Sequence, residues 1–234
     1  MERQVEYVLR LLKKRWPSPG AMELGTPYRT LVGVVLSART RDEQVLKLLP
    51  ELFMAFPDIQ RLAVADVSAI ERRINTIGMF RQKAKNLKKM ALRVVEQFEG
   101  EIPSTMDELV TLAGVGRKTA SVVLVASFHT PAIAVDTHVH RVTNRLGWVK
   151  TTTPEKTEIA LLKIVQDKWK ATVNRVFVKH GRYLCIAQPR CWACPLKDVC
   201  AYNSKQLRAP TNAEEILDDI NKRERLLETL RELV

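Results

Sequence analysis

The sequence predicts an all-helical (all-α) fold. Apolar residues recur at intervals of three and four residues almost throughout the 234 residues, and strict two-residue alternation is nearly absent. Prolines, glycines and helix-capping residues divide this pattern into segments of ordinary helix length. Hydrophobic residues make up 46% and charged residues 27% of the chain, a composition typical of globular proteins. We therefore expect helices around a buried core, in one domain or two.

The first half of the chain is expected to form five helices. The first ends before Pro17, and the second covers about 28–37. Asp42 is expected to cap the third helix and Asp66 the short fourth one. A long basic helix then covers about 80–98, and its cations are expected to face solvent, or phosphate if DNA lies nearby. These cations are Arg81, Lys83, Lys85, Lys88 and Lys89.

The second half continues the helical pattern. A helix that opens near Pro103 ends at Gly114, where a turn leads into the next helix. Asp136 follows a short extended apolar stretch and is expected to cap a helix that runs through Arg145. Two more helices lead to the cysteines. The last stretch, TNAEEILDDINKRERLLETLRELV, predicts a terminal amphipathic helix that packs on its own domain.

The charge of the chain favours a polyanionic partner. Lysine and arginine exceed aspartate and glutamate by 38 to 26, which gives a net charge of +12. Nucleic acid is one explanation, because cations that neutralise phosphates release counterions, and a well-solvated basic surface is the other. No apolar run approaches the roughly 18 residues that a membrane helix needs, and the N-terminus does not resemble a secretory signal. We expect an intracellular protein without a membrane partner.

The residues Gly114-Val115-Gly116 join two predicted helices. Such a helix-hairpin-helix allows a tight backbone turn whose amide N–H groups, with the following helix N-terminus, can bind a phosphate of any sequence. A plain turn between helices is the alternative, because two glycines separated by one residue are common. The motif therefore indicates a candidate DNA-binding element.

Lys118 and Asp136 are the candidate catalytic residues. Lys118 lies in the first turn after the hairpin, where the helix dipole disfavours a cation, and this position or partial burial would lower the pKa of the amine. A neutral amine is what a Schiff-base nucleophile requires. Asp136 has a structural explanation as a helix N-cap, but its carboxylate can also stabilise positive charge on a sugar or help to activate the amine. We expect the two residues to form one active site on DNA.

All four cysteines lie within sixteen residues, and this crowding predicts a metal site. They are Cys185, Cys191, Cys194 and Cys200. Both an iron-sulfur cluster and structural zinc accept four thiolates. Zinc modules usually carry two close cysteine pairs, whereas only one Cys-x-x-Cys occurs here, so the spacing favours iron-sulfur over zinc.

These motifs together resemble the endonuclease III family of DNA glycosylases and abasic-site lyases, within the helix-hairpin-helix superfamily. The similarity covers roughly residues 5–204 and rests on LAGVGRKTASVVL, IAVDTHVHRVTNRLG and HGRYLC followed by the four cysteines. The resemblance implies two helical domains that flank a DNA-binding cleft. Residues 20–130 would form a helical barrel ending in the hairpin, 1–19 plus 131–204 a domain with a 4Fe-4S cluster, and 205–234 a C-terminal extension.

The resemblance also implies a reaction. Lys118 matches the family's nucleophile and Asp136 its catalytic carboxylate, so a damaged base, expected to be an oxidised pyrimidine, would leave duplex DNA and the abasic site would be nicked by β-elimination. Arg39 stands where relatives usually carry a glutamine that probes the space left by the flipped base, and Met79 replaces a leucine wedge. Both are expected to contact DNA. We expect the protein to act as a monomer.

Two alternatives stay open at this point. A monofunctional mismatch uracil or thymine glycosylase would release the base without nicking the strand. A non-catalytic DNA-binding module with structural zinc would explain the charge and the cysteines, but it gives no reason for Lys118 and Asp136 to occur together.

Overall fold

The computed structural model describes residues 2–234, and every long element in that range is a helix. No strand occurs in these residues, so the all-α prediction is confirmed. A short 3₁₀ turn covers Cys191–Ala193. The α-helices are α1 Glu2–Arg15, α2 Pro27–Ser37, α3 Asp42–Ala55, α4 Ile59–Val64, α5 Val67–Ile74, α6 Phe80–Gln97, α7 Met106–Leu109, α8 Arg117–Phe128, α9 Thr137–Arg145, α10 Pro154–Ile164, α11 Asp167–Tyr183 and α12 Ala213–Glu232.

The structure differs from the predicted helices in three places. The helix expected to open near Pro103 and to end at Gly114 is the single turn α7, Met106–Leu109, whose N-cap is Thr105. Asp42 is the first residue of α3 and not its cap, because Arg41 occupies the N-cap position without a side-chain hydrogen bond. Helix α4 was not predicted, although Asp58 begins it by accepting a hydrogen bond from the amide of Arg61 at 2.7 Å. Six residues are too few to display a helical period, which explains why the pattern alone did not indicate α4.

The chain divides into two compact units. We name Gly20–His129 with Arg223–Val234 the central unit, and Met1–Pro19 with Thr130–Lys222 the outer unit. The residues from 205 onward, which the sequence analysis set apart as an extension, are thus shared between the two units.

The core of the central unit positions the hairpin and the start of α6. Helix α2 packs against α6 and α8, and Leu36, Leu87 and Ala120 are fully buried among them. A buried leucine of this kind contributes about 1.5–3 kcal/mol relative to an exposed one. Apolar packing therefore contributes strongly to holding α2, α6 and α8 together.

The basic helix α6 does not present all its cations to solvent. Arg81, Lys85 and Lys89 are exposed as expected. Lys83 is buried, with 5% of its surface exposed, and Lys88 is half-buried with its amine donating to the carbonyl of Ala63 at the end of α4. The prediction of a solvated side chain was wrong for Lys83.

The core of the outer unit positions α9 and the cysteine segment. Helix α11 packs against α1 and α9, and Leu9, Val139 and Phe177 are fully buried there. The rings of Trp16 and Tyr183 lie 5.6 Å apart at the end of α11. This packing fixes both the start of α9 and the point at which the chain leaves α11 for the cysteines.

Among the helices of residues 2–234, none combines the length and the apolar character that crossing a lipid bilayer requires.

Candidate functional site

The hairpin between α7 and α8 uses its two glycines for different purposes. Gly114 has φ +82°, a left-handed conformation, and a Cβ there would lie 3.1 Å from the side-chain nitrogen of Asn86. Gly116 has an ordinary backbone with φ −95°, and a Cβ there would meet open space. The fold therefore requires glycine at position 114 but not at 116. A glycine that packing does not require permits a close approach from outside the protein.

The amide groups at the start of α8 form the open side of this hairpin. The Val115 amide donates to the carbonyl of Leu112 at 3.1 Å, so it is used within the turn. Gly116 is the N-cap of α8. The first N–H groups of a helix have no intrahelical partner and carry the positive end of the helix dipole. These amides can receive an anion that approaches Gly116.

Lys118 is the second residue of α8, in the central unit. Its side chain is exposed, so the partial burial considered for it is not found. Within the described part of the chain its amine makes no hydrogen bond and no ion pair. The next two residues, Thr119 and Ala120, are buried and anchor the helix turn. The amine is therefore free to react with an incoming group.

Asp136 is the N-cap of α9, in the outer unit, as expected. One oxygen, Oδ1, accepts from the amides of His138 and Val139, each at 2.9 Å. Among the described residues no hydrogen bond goes to Oδ2. The side chain is half-buried and follows the buried residues Ile133–Val135. One oxygen thus caps the helix, while the other has no hydrogen-bond partner among the described residues.

A chain of contacts runs from the start of α9 to the first cysteine. His138 packs against Gly181, where a Cβ would lie only 2.8 Å from the histidine Cβ. Arg141 lies 3.1 Å from Nδ1 of His138 and donates to the carbonyls of Gly181 at 2.8 Å and Cys185 at 2.9 Å. Burial lowers the pKa of His138, which favours the neutral ring that can accept from the guanidinium. Helix α9 therefore supports the cysteine segment through Arg141.

Arg145, one turn further along α9, holds the same segment. Its guanidinium donates to the Cys185 sulfur at 3.4 Å, to the Ile186 carbonyl at 2.6 Å and to the Ala187 carbonyl at 3.0 Å. It also lies 4.7 Å from the centre of the Tyr202 ring. Sequence reasoning missed both arginines. Their spacing of four residues was the available signal, because it puts them on one face of a helix.

The four cysteines line one pocket of the outer unit. All four are free thiols, and the pocket encloses about 330 Å³ of empty space, open solvent included. Three cations also line it: Arg145, Lys197 and Lys205. Among the described residues no group of three or more ligating side chains is arranged around the position of a single metal ion. The four thiols nevertheless line one common pocket.

The surroundings of the thiols control whether they can ionise. Burial raises the pKa of Cys185, and it raises that of Cys194 to about 12, so the protein alone keeps these thiols protonated. The thiols would therefore ionise to thiolate ligands only beside the positive charge of a metal. The cations of the pocket would offset the negative charge that remains. His180 lies 3.5 Å from the Cys194 sulfur, and burial lowers its pKa to about 4, which keeps the ring neutral at pH 7.

Arg39 and Met79 both have left-handed backbones. Arg39, between α2 and α3, has φ 55°, and Met79, directly before α6, has φ 58°. Such values are uncommon for residues other than glycine, and they concentrate at functional positions. Both side chains are exposed. An exposed methionine at a helix start contributes little to the core and is available for a partner.

Residues 32–167, more than half of the chain, match the model of the family described as HhH-GPD superfamily base excision DNA repair protein. The chain belongs to this superfamily. Within it the chain is similar to endonuclease III of Thermotoga maritima, with 43% identity over 199 residues that cover 85% of this chain and 92% of the relative. The family resemblance found in the sequence is thereby confirmed.

Solved structures give the same result for the fold. The structure of a trapped endonuclease III-DNA covalent intermediate, an estranged-adenine complex, has a TM-score of 0.80 and 36% identity, covering 89% of this chain and 99% of that one. A thermostable thymine-DNA glycosylase has a TM-score of 0.76 at 22% identity, covering 86% of this chain and 96% of that one. The second likeness concerns the fold alone.

Proposed function

We propose that Lys118 and Asp136 carry out the chemistry of a base-excision DNA glycosylase with abasic-site lyase activity, on duplex DNA that contains an oxidised pyrimidine. The class of enzyme follows from the superfamily and from the endonuclease III relatives. The residue roles and the substrate are our proposal. The observation that carries it is the exposed amine of Lys118, which has no partner in the described residues, at the start of the helix after the hairpin.

Lys118 acts as the nucleophile. Its neutral amine attacks C1′ of the damaged nucleotide, the C1′–N bond breaks, and the base leaves with the bonding electrons and takes up a proton. Opening of the sugar ring gives a Schiff base between lysine and C1′. Loss of a C2′ proton then expels the 3′ phosphate by β-elimination, which cuts the strand. Water hydrolyses the Schiff base and regenerates the amine.

Asp136 stabilises the positive charge that develops on the sugar as the base leaves. Its Oδ1 is held by two amides, which fixes the direction of the carboxylate. The positive end of the helix dipole attracts a negative charge at this N-cap position. The same anion can accept a proton from the attacking amine.

The hairpin supplies a phosphate contact through Gly116, and its two glycines allow a matched test. We expect Gly116→Ala to leave the melting temperature unchanged and to weaken DNA binding several-fold, because the added methyl group occupies the space of the phosphate. Gly114→Ala is expected to lower the melting temperature by about 2–8 °C, since the left-handed backbone is strained by about 1–2 kcal/mol. Calorimetry and fluorescence anisotropy on a labelled duplex measure the two effects. Equal destabilisation by both changes would contradict the phosphate contact.

We propose that the four cysteines hold a 4Fe-4S cluster, which stabilises the segment after α11. The single Cys-x-x-Cys favours this choice over zinc, and the shared pocket of the four thiols and the cations around it support a metal centre there. Purified protein is expected to be brown and to contain about four iron and four sulfide ions per chain. Cys194→Ser is expected to lose most of the iron and to lower the melting temperature. A colourless wild-type protein with one zinc ion per chain would contradict the cluster.

We propose further that the central unit corresponds to the helical barrel and the outer unit to the cluster domain. Their bounds lie close to the predicted 20–130 and 1–19 plus 131–204. We also propose that a monomer acts on DNA.

A panel of duplexes tests the function. Each duplex carries one damaged base, and base release and strand cleavage are scored separately, with borohydride added to trap the Schiff base. We expect release and cleavage together on oxidised pyrimidines, with a covalent adduct. Release of uracil or thymine from mismatches without cleavage would instead establish the monofunctional alternative. DNA binding without either product would establish the non-catalytic one.

A further inference from the structure

Lys83 is a buried lysine that the reaction above does not use. It lies in the first turn of α6, with 5% of its surface exposed. No carboxylate pairs with it among the described residues. Burial lowers the pKa of its amine, which reflects the cost of holding a charge away from water. A methionine of similar length would fill the same space at lower cost, so the lysine is not explained by packing.

The amine of Lys83 bridges the segment that carries Arg39. It donates to the carbonyl of Leu36 at 2.7 Å and to the hydroxyl of Thr40. Leu36 lies at the end of α2, and Thr40 directly follows Arg39. The two hydrogen bonds therefore join residues on both sides of Arg39 to the amine of Lys83. A cation is also well placed there, because a helix C-terminus carries partial negative charge.

The backbone of Lys83 holds the second candidate DNA contact. Its amide donates to the carbonyl of Met79 at 3.0 Å, which is the hydrogen bond that begins α6. Met79 is the N-cap of this helix and makes no side-chain cap bond. One residue is thus bonded to the backbone at Met79 and to both flanks of Arg39. Arg39 and Met79, the two left-handed residues that were predicted to contact DNA, are therefore both held through hydrogen bonds of Lys83.

We propose that Lys83 is a positioning residue that fixes Arg39 and Met79 relative to each other, so that both side chains can enter the duplex where the damaged base is flipped out. This inference rests on the proposed function, since it assigns DNA contacts to Arg39 and Met79. The apolar core already joins α2 to α6 through Leu36 and Leu87. What the lysine adds is the placement of the segment around Arg39.

Lys88 provides a matched control on the same helix. Its amine also donates to a carbonyl near a helix end, that of Ala63 in α4, but none of its hydrogen bonds involves the segments of Arg39 or Met79. Lys88→Met therefore removes the same kind of bond without touching the proposed support. Thr40 offers a second comparison, because Thr40→Val removes the hydroxyl with little change in shape and Thr40→Ser keeps it.

The test compares two substrates. Base release from a duplex with an oxidised pyrimidine requires insertion beside a flipped base, whereas borohydride trapping on single-stranded DNA with a preformed abasic site does not. We expect Lys83→Met and Thr40→Val to slow single-turnover base release by roughly 10- to 100-fold, because small displacements are costly for such geometry. Trapping on the single strand is expected to match the wild-type protein. Lys88→Met and Thr40→Ser are expected to behave like the wild-type protein on both substrates.

The outcomes separate the two proposals. If the wild-type protein forms no adduct on either substrate, the proposed function fails. If the wild-type protein is active and Lys83→Met releases base at the wild-type rate, the positioning role is overturned. If Lys83→Met unfolds, Thr40→Val decides: wild-type base release by that variant overturns the proposal. Equal losses on both substrates, or the same loss in Lys88→Met, also overturn it, because they indicate a general structural role.

Discussion

Replacing Lys118 by glutamine is expected to abolish the covalent adduct that borohydride traps on abasic DNA. Glutamine keeps the length and polarity of the side chain but has no nucleophilic amine, so no Schiff base can form. Strand cleavage is expected to fall by roughly 10³-fold or more, since the loss of a covalent nucleophile removes the whole pathway. Single-turnover assays on a duplex with an abasic site measure the loss.

Lys118→Arg is the control for charge. Arginine keeps the cation at the start of α8, but its guanidinium is protonated at all accessible pH values and cannot attack C1′. If Lys118 only attracts phosphate, the arginine variant should cleave DNA like the wild-type protein. If Lys118 is the nucleophile, both variants lose the adduct and only glutamine weakens DNA binding. An adduct that persists in both variants would refute the assignment. The exposed position of Lys118 makes misfolding an implausible cause for either loss.

Replacing Asp136 by asparagine is expected to slow base release by about 10²- to 10⁴-fold while DNA binding stays close to the wild-type level. Asparagine caps a helix as well as aspartate does, so the bonds to His138 and Val139 can be kept. Only the negative charge is lost. The rate is measured under single turnover, and binding by anisotropy on an uncleavable duplex.

Asp136→Ala separates the capping role of this residue from its proposed catalytic role. Alanine cannot cap, so α9 is expected to lose about 0.5–2 kcal/mol in addition to the catalytic charge. The melting temperature should therefore fall for alanine and stay unchanged for asparagine. If both variants lose stability and activity in parallel, Asp136 has a structural role alone.

The sequence predicted most helices because their apolar faces repeat over several turns. It placed Asp136 correctly as the N-cap of α9, since capping chemistry is local and visible in a short stretch. It failed at α4, which is too short for a period, and at Asp42, where the cap lies one residue earlier. It also failed at α7, which is shorter than the helix predicted up to Gly114. Local patterns determine elements of three or more turns, whereas single turns depend on what they pack against.

The candidate site was predictable where chemistry and spacing coincide. The spacing of the cysteines and of the hairpin glycines indicated a metal site and a phosphate-binding turn. Position and chemistry made Lys118 and Asp136 candidates, and the family resemblance then assigned them their expected roles. Lys83 looked like any solvated lysine in a basic helix, because its partners Leu36 and Thr40 are more than forty residues away in the chain. A buried polar contact between segments that are distant in the chain cannot be recognised from the spacing of residues in the sequence.

Few amino acids are expected to be accepted at position 136, the N-cap of α9, for two reasons. Asp136 begins the helix that carries Arg141 and Arg145, which hold the first cysteine in place. Most substitutions of Asp136 would therefore lower the stability of the protein in addition to any effect on catalysis. Under the proposed role of Asp136, a residue that can cap, above all asparagine, is expected to give an inactive protein of unchanged stability, whereas alanine also lowers stability. A lineage that loses the enzyme's activity while it keeps the fold is expected to do so through such a single, nearly silent change.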